Sequence, residues 1–281
     1  MAATAPPLVQ YRDEVVKLFE RNRSTLRQTT TRESMAQGLQ LVWNVAGSGS
    51  EAVSRNANGD IPSTPLDQTQ VTLTVSENHS LKERNKFNIV TAQSNQVAEM
   101  QRATLIEVNR KIDSKIITAL ATGTLEVSAS AVVMSKDVAN IATTMLGNNN
   151  VMDDSGMIWG LLTPAAWTAL SDDDTFANSQ WTGEYPLVPG QPQMGDPPKR
   201  WMGVWWVKHT GLSGIATASA TCFIYSQAAI GYGYVGDSIM ADAQYESKQD
   251  RSWARATVYD GAVKLQNPGI IKFYHNDAAV L

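Results

Sequence analysis

Two hundred and eighty-one residues, 43% apolar and 18% charged, make a chain long enough for one large domain or two modest ones. Uncharged polar residues (Thr 24, Ser 22, Asn 16, Gln 16) fill the place of the missing charge, and such a surface desolvates at lower cost than one of Lys and Glu, which suits subunit contact. With no apolar run near ~18 residues, a single cysteine (Cys222) and three scattered histidines (His79, His209, His275), the composition excludes a transmembrane helix, an intramolecular disulfide framework and a multi-cysteine zinc site.

The net charge of −4 hides an asymmetry that starts at the N-terminus. Residues 1–32 carry six bases (Arg12, Lys17, Arg21, Arg23, Arg27, Arg32) against Asp13, Glu14 and Glu20. Such a start suits nucleic acid or an acidic neighbour, and it equally suits the solvated face of an ordinary helix. Met1-Ala-Ala-Thr-Ala-Pro-Pro7 lacks the basic segment and apolar core of a secretory signal, so a cytoplasmic origin is expected. Residues 8–28 predict a helix after that Pro-Pro stop, with Val9, Val15, Val16, Phe19 and Leu26 as an imperfect stripe. Residues 39–46 alternate as a strand does, with Leu39, Leu41, Trp43 and Val45 on one face. From 47 to 69 the chain is rich in Gly, Ser, Asn, Asp and Pro, and a strand over 71–75 follows. That excursion is too long for a simple hairpin turn and predicts a functional or disordered loop, one that, if ordered, rests on another molecule.

Residues 92–121 carry the strongest helical signal: Val97, Met100, Leu105, Val108, Ile112, Ile116 and Leu120 recur at three- and four-residue steps, Ser94 stands as the cap and Gly123 just past the end. At ~1.5 Å per residue this is a rod of roughly 40 Å, long enough to act as a spine. A second helix is expected over 136–146, capped by Ser135 and closed by Gly147, then a buried strand over 157–162. Thr163-Pro164 supplies a cap and first-turn pair for a short helix over 165–170. The stretch 171–200 is irregular, with five prolines, and strands are expected at 202–208, 221–225, 243–249, around 253–259, 261–265 and 270–274. The pattern is that of an α+β chain with an extended N-terminal third.

No motif assembles a catalytic constellation. Asp172-Asp173-Asp174, with Asp153-Asp154, lacks the spaced pattern and distal Glu of a Ca²⁺ loop and reads as solvated turn acids. Gly231-Tyr-Gly-Tyr-Val-Gly236 has the spacing of a phosphate-binding turn without the βαβ unit around it. There is no Gly-x-Ser-x-Gly elbow; His209 reads as a polar strand terminus and Cys222 as an inert core thiol. Trp201, Trp205, Trp206, Tyr232 and Tyr234 suit stacking on sugars or bases, and equally suit core packing and subunit contact. No enzyme, cofactor or metal is expected. A carbohydrate-binding or hydrolytic domain using Trp205 and Asp173 is the alternative from another class.

The order of parts resembles something specific. A basic N-terminal segment leads to a polar excursion ending Asp60-Ile-Pro-Ser-Thr-Pro-Leu-Asp-Gln-Thr-Gln-Val71, then to a spine helix, then to a β-rich region with Leu161-Leu-Thr-Pro-Ala-Ala-Trp-Thr-Ala-Leu170, and closes on Ala256-Thr-Val-Tyr-Asp-Gly-Ala-Val-Lys-Leu265 and a terminal strand. This resembles the major capsid proteins of tailed bacteriophages, with the Hong Kong 97-like fold, over nearly the whole chain. The resemblance implies an N-arm (1–45), an extended E-loop with flanking strands (46–90), a P-domain with the spine helix (91–124), a β-rich A-domain (125–250) and a return to the P-domain (251–281). It implies self-assembly into pentamers and hexamers of an icosahedral shell around double-stranded DNA, in a virion assembled in the host cytoplasm. Implied partners are other copies of the chain, a portal protein, separate scaffolding and decoration proteins, and DNA bound non-specifically, with no membrane. Assembly contacts are expected at Arg55, Asp60, Pro62, Pro65, Asp67, Trp181 and Tyr185, and inner-surface bases at Arg21, Arg23 and Arg27. No Lys/Asn/Glu set here matches the family's crosslinking chemistry. An encapsulin-like compartment shell shares the fold and is the nearest alternative.

Overall fold

The computed structural model describes residues 21, 23–47, 51–55, 59, 67–92, 95–128, 130–152, 156–177, 198–236 and 239–279. Most of the helix expected over 8–28 lies outside them. Its described end is instead a short 3-10 turn, Leu26–Thr29, followed by a strand, β1 (Thr31–Met35). Leu26 is fully buried, so this turn is anchored by packing.

Next come β2 (Gln40–Ala46) and β3 (Gln68–Thr74), which pair antiparallel from Gln40↔Thr74 to Ala46↔Gln68. The excursion between them is therefore the tip of a hairpin after all. Its neck closes where the Gly47 N–H donates to the Asp67 carbonyl at 2.7 Å. β4 (Ser76–Asn85) and a short helix α1 (Lys86–Thr91) follow. Neither was legible in the sequence: β4 reads Ser-Glu-Asn-His-Ser-Leu-Lys-Glu-Arg-Asn, with no apolar alternation, and is a strand because a partner runs beside all ten of its residues.

The spine helix α2 spans Gln96–Ala121, about 39 Å at ~1.5 Å per residue. It starts later than expected, with Asn95 as the cap, its side-chain oxygen accepting the Ala98 N–H at 3.2 Å; Ser94 lies outside the described residues. Met100, Val108, Ile112, Ile116 and Leu120 are buried as the spacing requires. Beyond α2 lie β5 (Leu125–Glu126), α3 (Lys136–Asn148), β6 (Ile158–Leu162), α4 (Pro164–Ser171) and α5 (Asp174–Ala177). α3 runs through Gly147; the left-handed residue past its end is Asn150 (φ 58°). Thr163 caps α4 as expected, accepting the Ala166 N–H at 3.1 Å.

The rest is β-structure: β7 (Lys199–Trp201), β8 (Val204–Lys208), β9 (Ala220–Ser226), β10 (Ile230–Val235), β11 (Met240–Glu246), β12 (Arg251–Lys264) and β13 (Ile270–His275). β7 and β8 make a tight hairpin over Met202 and Gly203, both at positive φ. β12 is one continuous 14-residue strand where two were expected, and it organises the first sheet. β4 runs along one edge of it, and β10 and β11 along the other, with β1 beyond β10. The second sheet has the order β5-β13-β9-β6-β8-β7. Ile224, Phe223, Phe273, Ile271, Trp206, Leu161 and the inward face of α2 share one buried core. Each such side chain contributes about 1.5–3 kcal/mol by leaving water.

Candidate functional site

Three carboxylates with side chains 0–1% exposed hold the elements together, and none was singled out from the sequence. Asp113, midway along α2, accepts the Ser24 hydroxyl at 2.6 Å and the Leu26 N–H at 3.3 Å; His209 Nε2 lies 3.2 Å away and Arg21 Nε 3.6 Å. Arg21 Nη1 also sits 2.8 Å from His209 Nε2, the Gly211 N–H donates to His209 Nδ1 at 3.0 Å, and Arg110 Nε donates to the Arg21 carbonyl at 3.3 Å. Burial lowers the Arg21 pKa, with Asp113 opposing the shift and Arg110 adding to it. This cluster staples the N-terminal segment to the spine and to the end of β8. His209 thus ends a strand as expected, yet it is buried rather than solvent-facing.

Asp260 in β12 receives Lys115 Nζ at 2.5 Å, Asn78 Nδ2 at 3.2 Å and the Tyr232 hydroxyl at 3.1 Å, and Lys115 also donates to the Ser76 hydroxyl at 2.8 Å. Burial, and then the adjacent Asp260 charge, push the Tyr232 phenol far up. α2, β4, β10 and β12 meet at this one group. Asp277 accepts the Thr163 hydroxyl at 2.8 Å and the Ala216 N–H at 3.1 Å and faces His275 Nδ1 at 2.7 Å, pinning the end of β13 to the cap of α4. The signal for Asp113 was present in the sequence: it adjoins Ile112 on the buried side of an amphipathic helix, where a lone acid needs partners.

The residues expected to act are distributed differently. Arg23 is exposed, Arg27 half-buried, and Arg21 turned inward into the Asp113 cluster. Arg55 is exposed and its Nε donates to the Gly59 carbonyl at 2.5 Å; Asp67 is exposed and its carbonyl holds the hairpin neck. Asp60, Pro62, Pro65, Trp181 and Tyr185 lie outside the described residues, as do Asp153 and Asp154. Asp173 caps its own turn, taking the Thr175 N–H at 2.9 Å and hydroxyl at 2.5 Å, and those bonds hold its carboxyl below the usual range. Among the described residues no group of three or more His, Cys, Asp or Glu is arranged to hold a metal ion.

The aromatic residues divide between interior and surface. Trp201, Trp206 and Tyr232 are buried, and Trp167, Phe176 and Trp201 stack edge-on in sequence at 5.5 and 5.4 Å; Trp205 and Tyr234 are half-buried. Most of the proposed sugar platform is therefore core. Cys222 is buried in β9, and burial pushes its thiol up to about 12. Exposed apolar groups sit elsewhere: Phe87 and Val90 on α1 are each 74% exposed, Val42 faces outward on the hairpin, and Ile141 does so on α3. Among the described residues no helix is long and apolar enough to cross a membrane.

A separate two-stranded hairpin packed on the first sheet, a spine helix laid across that sheet, which one long strand organises, and a second sheet with flanking helices define a shell-protein architecture, the Hong Kong 97-like capsid fold. A family model for phage capsid proteins matches residues 3–276, and the chain belongs to that family. A chain from Mycobacterium phage Che8 superposes with a TM-score of 0.73 at 15% identity, covering 97% of this chain and 98% of that one. The capsid of cyanophage P-SCSP1u gives 0.71 at 12% identity, covering 95% and 92%, and the capsid of a native GTA particle gives 0.71 at 9%, covering 96% and 95%. These likenesses are of fold. A comparison with curated protein sequences finds no significant match.

Proposed function

We propose that the chain is the major capsid protein of a tailed bacteriophage and assembles into pentamers and hexamers of an icosahedral shell enclosing double-stranded DNA. The observation that carries this reading is the β2–β3 hairpin. It forms a two-stranded sheet of its own and carries the excursion 48–66, whose composition gives it little to bury by itself. An element of that kind gains order by lying on a neighbour, and many such contacts add through multivalency.

In this proposal residues 1–45 are the N-arm, 46–90 the E-loop with its flanking strands, 91–124 the P-domain with the spine helix α2, 125–250 the A-domain and 251–281 the return to the P-domain. The two sheets cross these bounds: β10 and β11 pair with β12, and β13 pairs with β5 and β9. Arg55, Asp60, Pro62, Pro65, Asp67, Trp181 and Tyr185 are proposed to meet neighbouring copies. Arg23 and Arg27 are proposed to face DNA. Portal, scaffolding and decoration proteins are the further partners, and the virion is the location. The role is structural rather than enzymatic.

Negative-stain microscopy of the purified chain, alone and co-expressed with a scaffolding protein, tests the reading. Shells or ring-shaped capsomers are the expected result. A chain that stays monomeric under every assembly condition would sink it, and particles filled with protein cargo instead of nuclease-protected DNA would turn it into a compartment shell.

A further inference from the structure

The Gly231-Tyr-Gly-Tyr-Val-Gly236 run lacks the βαβ unit of a phosphate-binding turn, and its glycines still need a reason. It lies along β10, where Gly231 and Gly233 share one face of the sheet and Gly233 stands opposite Gly261 of β12. None of the three has positive φ, so the backbone does not require glycine there; the space above them does. A Cβ at Gly233 would lie 2.8 Å from Leu73 Cδ2 and 3.0 Å from Leu41 Cδ2. At Gly261 it would meet Leu73 Cδ1 at 2.8 Å and the Thr74 carbonyl oxygen at 3.2 Å, and at Gly231 the Trp43 ring at 3.2 Å.

Leu41, Trp43 and Leu73 are the inward side chains of the β2–β3 hairpin, with Leu41 opposite Leu73 and Trp43 opposite Val71. The hairpin shares no ladder with either larger sheet among the described residues. Two rungs of side chains rest on this patch of bare backbone, while at the hairpin's base the buried Val75, the one residue between β3 and β4, donates its N–H to the Leu39 carbonyl at 2.9 Å. Trp43 Nε1 is buried with no hydrogen-bond partner, so packing rather than a directional bond holds the ring. We propose that Gly231, Gly233 and Gly261 form a ledge that seats the β2–β3 hairpin and sets its tilt on the body. The consequence for shell geometry rests on the proposed assembly function; the ledge itself does not.

The test places spin labels on cysteines introduced at two exposed positions, Asn44→Cys on the hairpin and Gln244→Cys on β11, the native Cys222 being buried. Label distance, thermal unfolding and shell yield are then compared across glycine variants. Gly233→Ala and Gly261→Ala should unfold cooperatively, move the mean label distance by about 2 Å or more, and lower shell yield by about tenfold. Gly231→Ala, where the contact is looser, is the milder variant should either of these fail to fold. Adding Leu73→Val to Gly233→Ala removes the nearer of the two δ-methyls in the way, Leu41 Cδ2 staying at 3.0 Å, and should restore distance and yield in part. An unmoved label distance in folded Gly→Ala variants overturns the ledge, whatever the shells do. A shifted distance with shells of wild-type yield and diameter overturns its link to assembly. If the wild-type chain makes no shells while the variants still shift the distance, the assembly function fails and the ledge stands.

Discussion

Asp113 shows what a single buried group does in this molecule: Arg21, Ser24, Leu26 and His209 converge on one carboxylate, so the N-terminal segment, the spine and the end of β8 share an anchor. Removing it leaves the His209 ring and the Leu26 N–H buried with no acceptor. Asp113→Ala should cost about 3 kcal/mol, read as a lower urea midpoint, whereas Asp174→Ala on the exposed end of α4–α5 should change it by less than about 0.5 kcal/mol. Cys222 gives a pH test. Burial pushes its thiol from 9.0 to about 12, so above pH 9 the unfolded chain releases a proton that the folded chain keeps. A raised folded pKa means the stabilisation is whole below pH 9 and is lost as pH climbs toward 12, at about 1.4 kcal/mol per unit for one proton. Cys222→Ala, although less stable throughout, should lose stability less steeply between pH 9 and 11; parallel slopes would show that the thiol ionises freely in the fold. The burial of Cys222 was legible from its apolar strand. Asp260 was not, because its partners Lys115, Asn78 and Tyr232 are scattered along the chain and meet only after β4, β10, β12 and α2 have packed.

Elements divide the same way. α2, α3, α4 and most strands followed from periodicity, and their ends moved by a few residues: Asn95 caps α2, and α3 has Ser135 at its start without a side-chain cap bond and runs on through Gly147. β4 and α1 were illegible for a physical reason: β4 buries almost nothing on either face, and its backbone alone, paired with β12 over ten residues, makes it a strand. The β2–β3 pairing was hidden by the length of its loop, yet loop closure grows slowly with length and the Gly47–Asp67 bond closes the neck. That neck makes the excursion removable. Replacing residues 50–66 with a short Gly-Ser link should leave the melting temperature within about 3 °C of wild type while shell closure is lost. Normal shells from that variant would take the loop out of the assembly mechanism, and a large drop in melting temperature would show that the loop packs on its own subunit.

At the scale of the whole molecule, the order of parts identified the fold although no single motif did, because a shell subunit is specified by what reaches beyond its core rather than by a reactive centre. The same scale governs the proposed contact with DNA. A chain of net charge −4 is not drawn to a polyanion as a whole, so attraction has to come from one face, and the bases of residues 1–32 are the local exception. The structure separates them: Arg23 is exposed and Arg27 half-buried, while Arg21 is tied to Asp113 and His209. Arg23→Ala with Arg27→Ala should therefore leave shell assembly intact and weaken binding to double-stranded DNA regardless of its sequence. Measured between roughly 50 and 200 mM salt, the slope of log affinity against log salt should fall by about 2, near one unit per lost phosphate contact. Arg21→Ala should instead lower the urea midpoint and leave that slope unchanged. If Arg21→Ala reduced the slope and spared stability, the inward ion pair would not hold in solution, and the basic segment would act as one continuous DNA-facing arm.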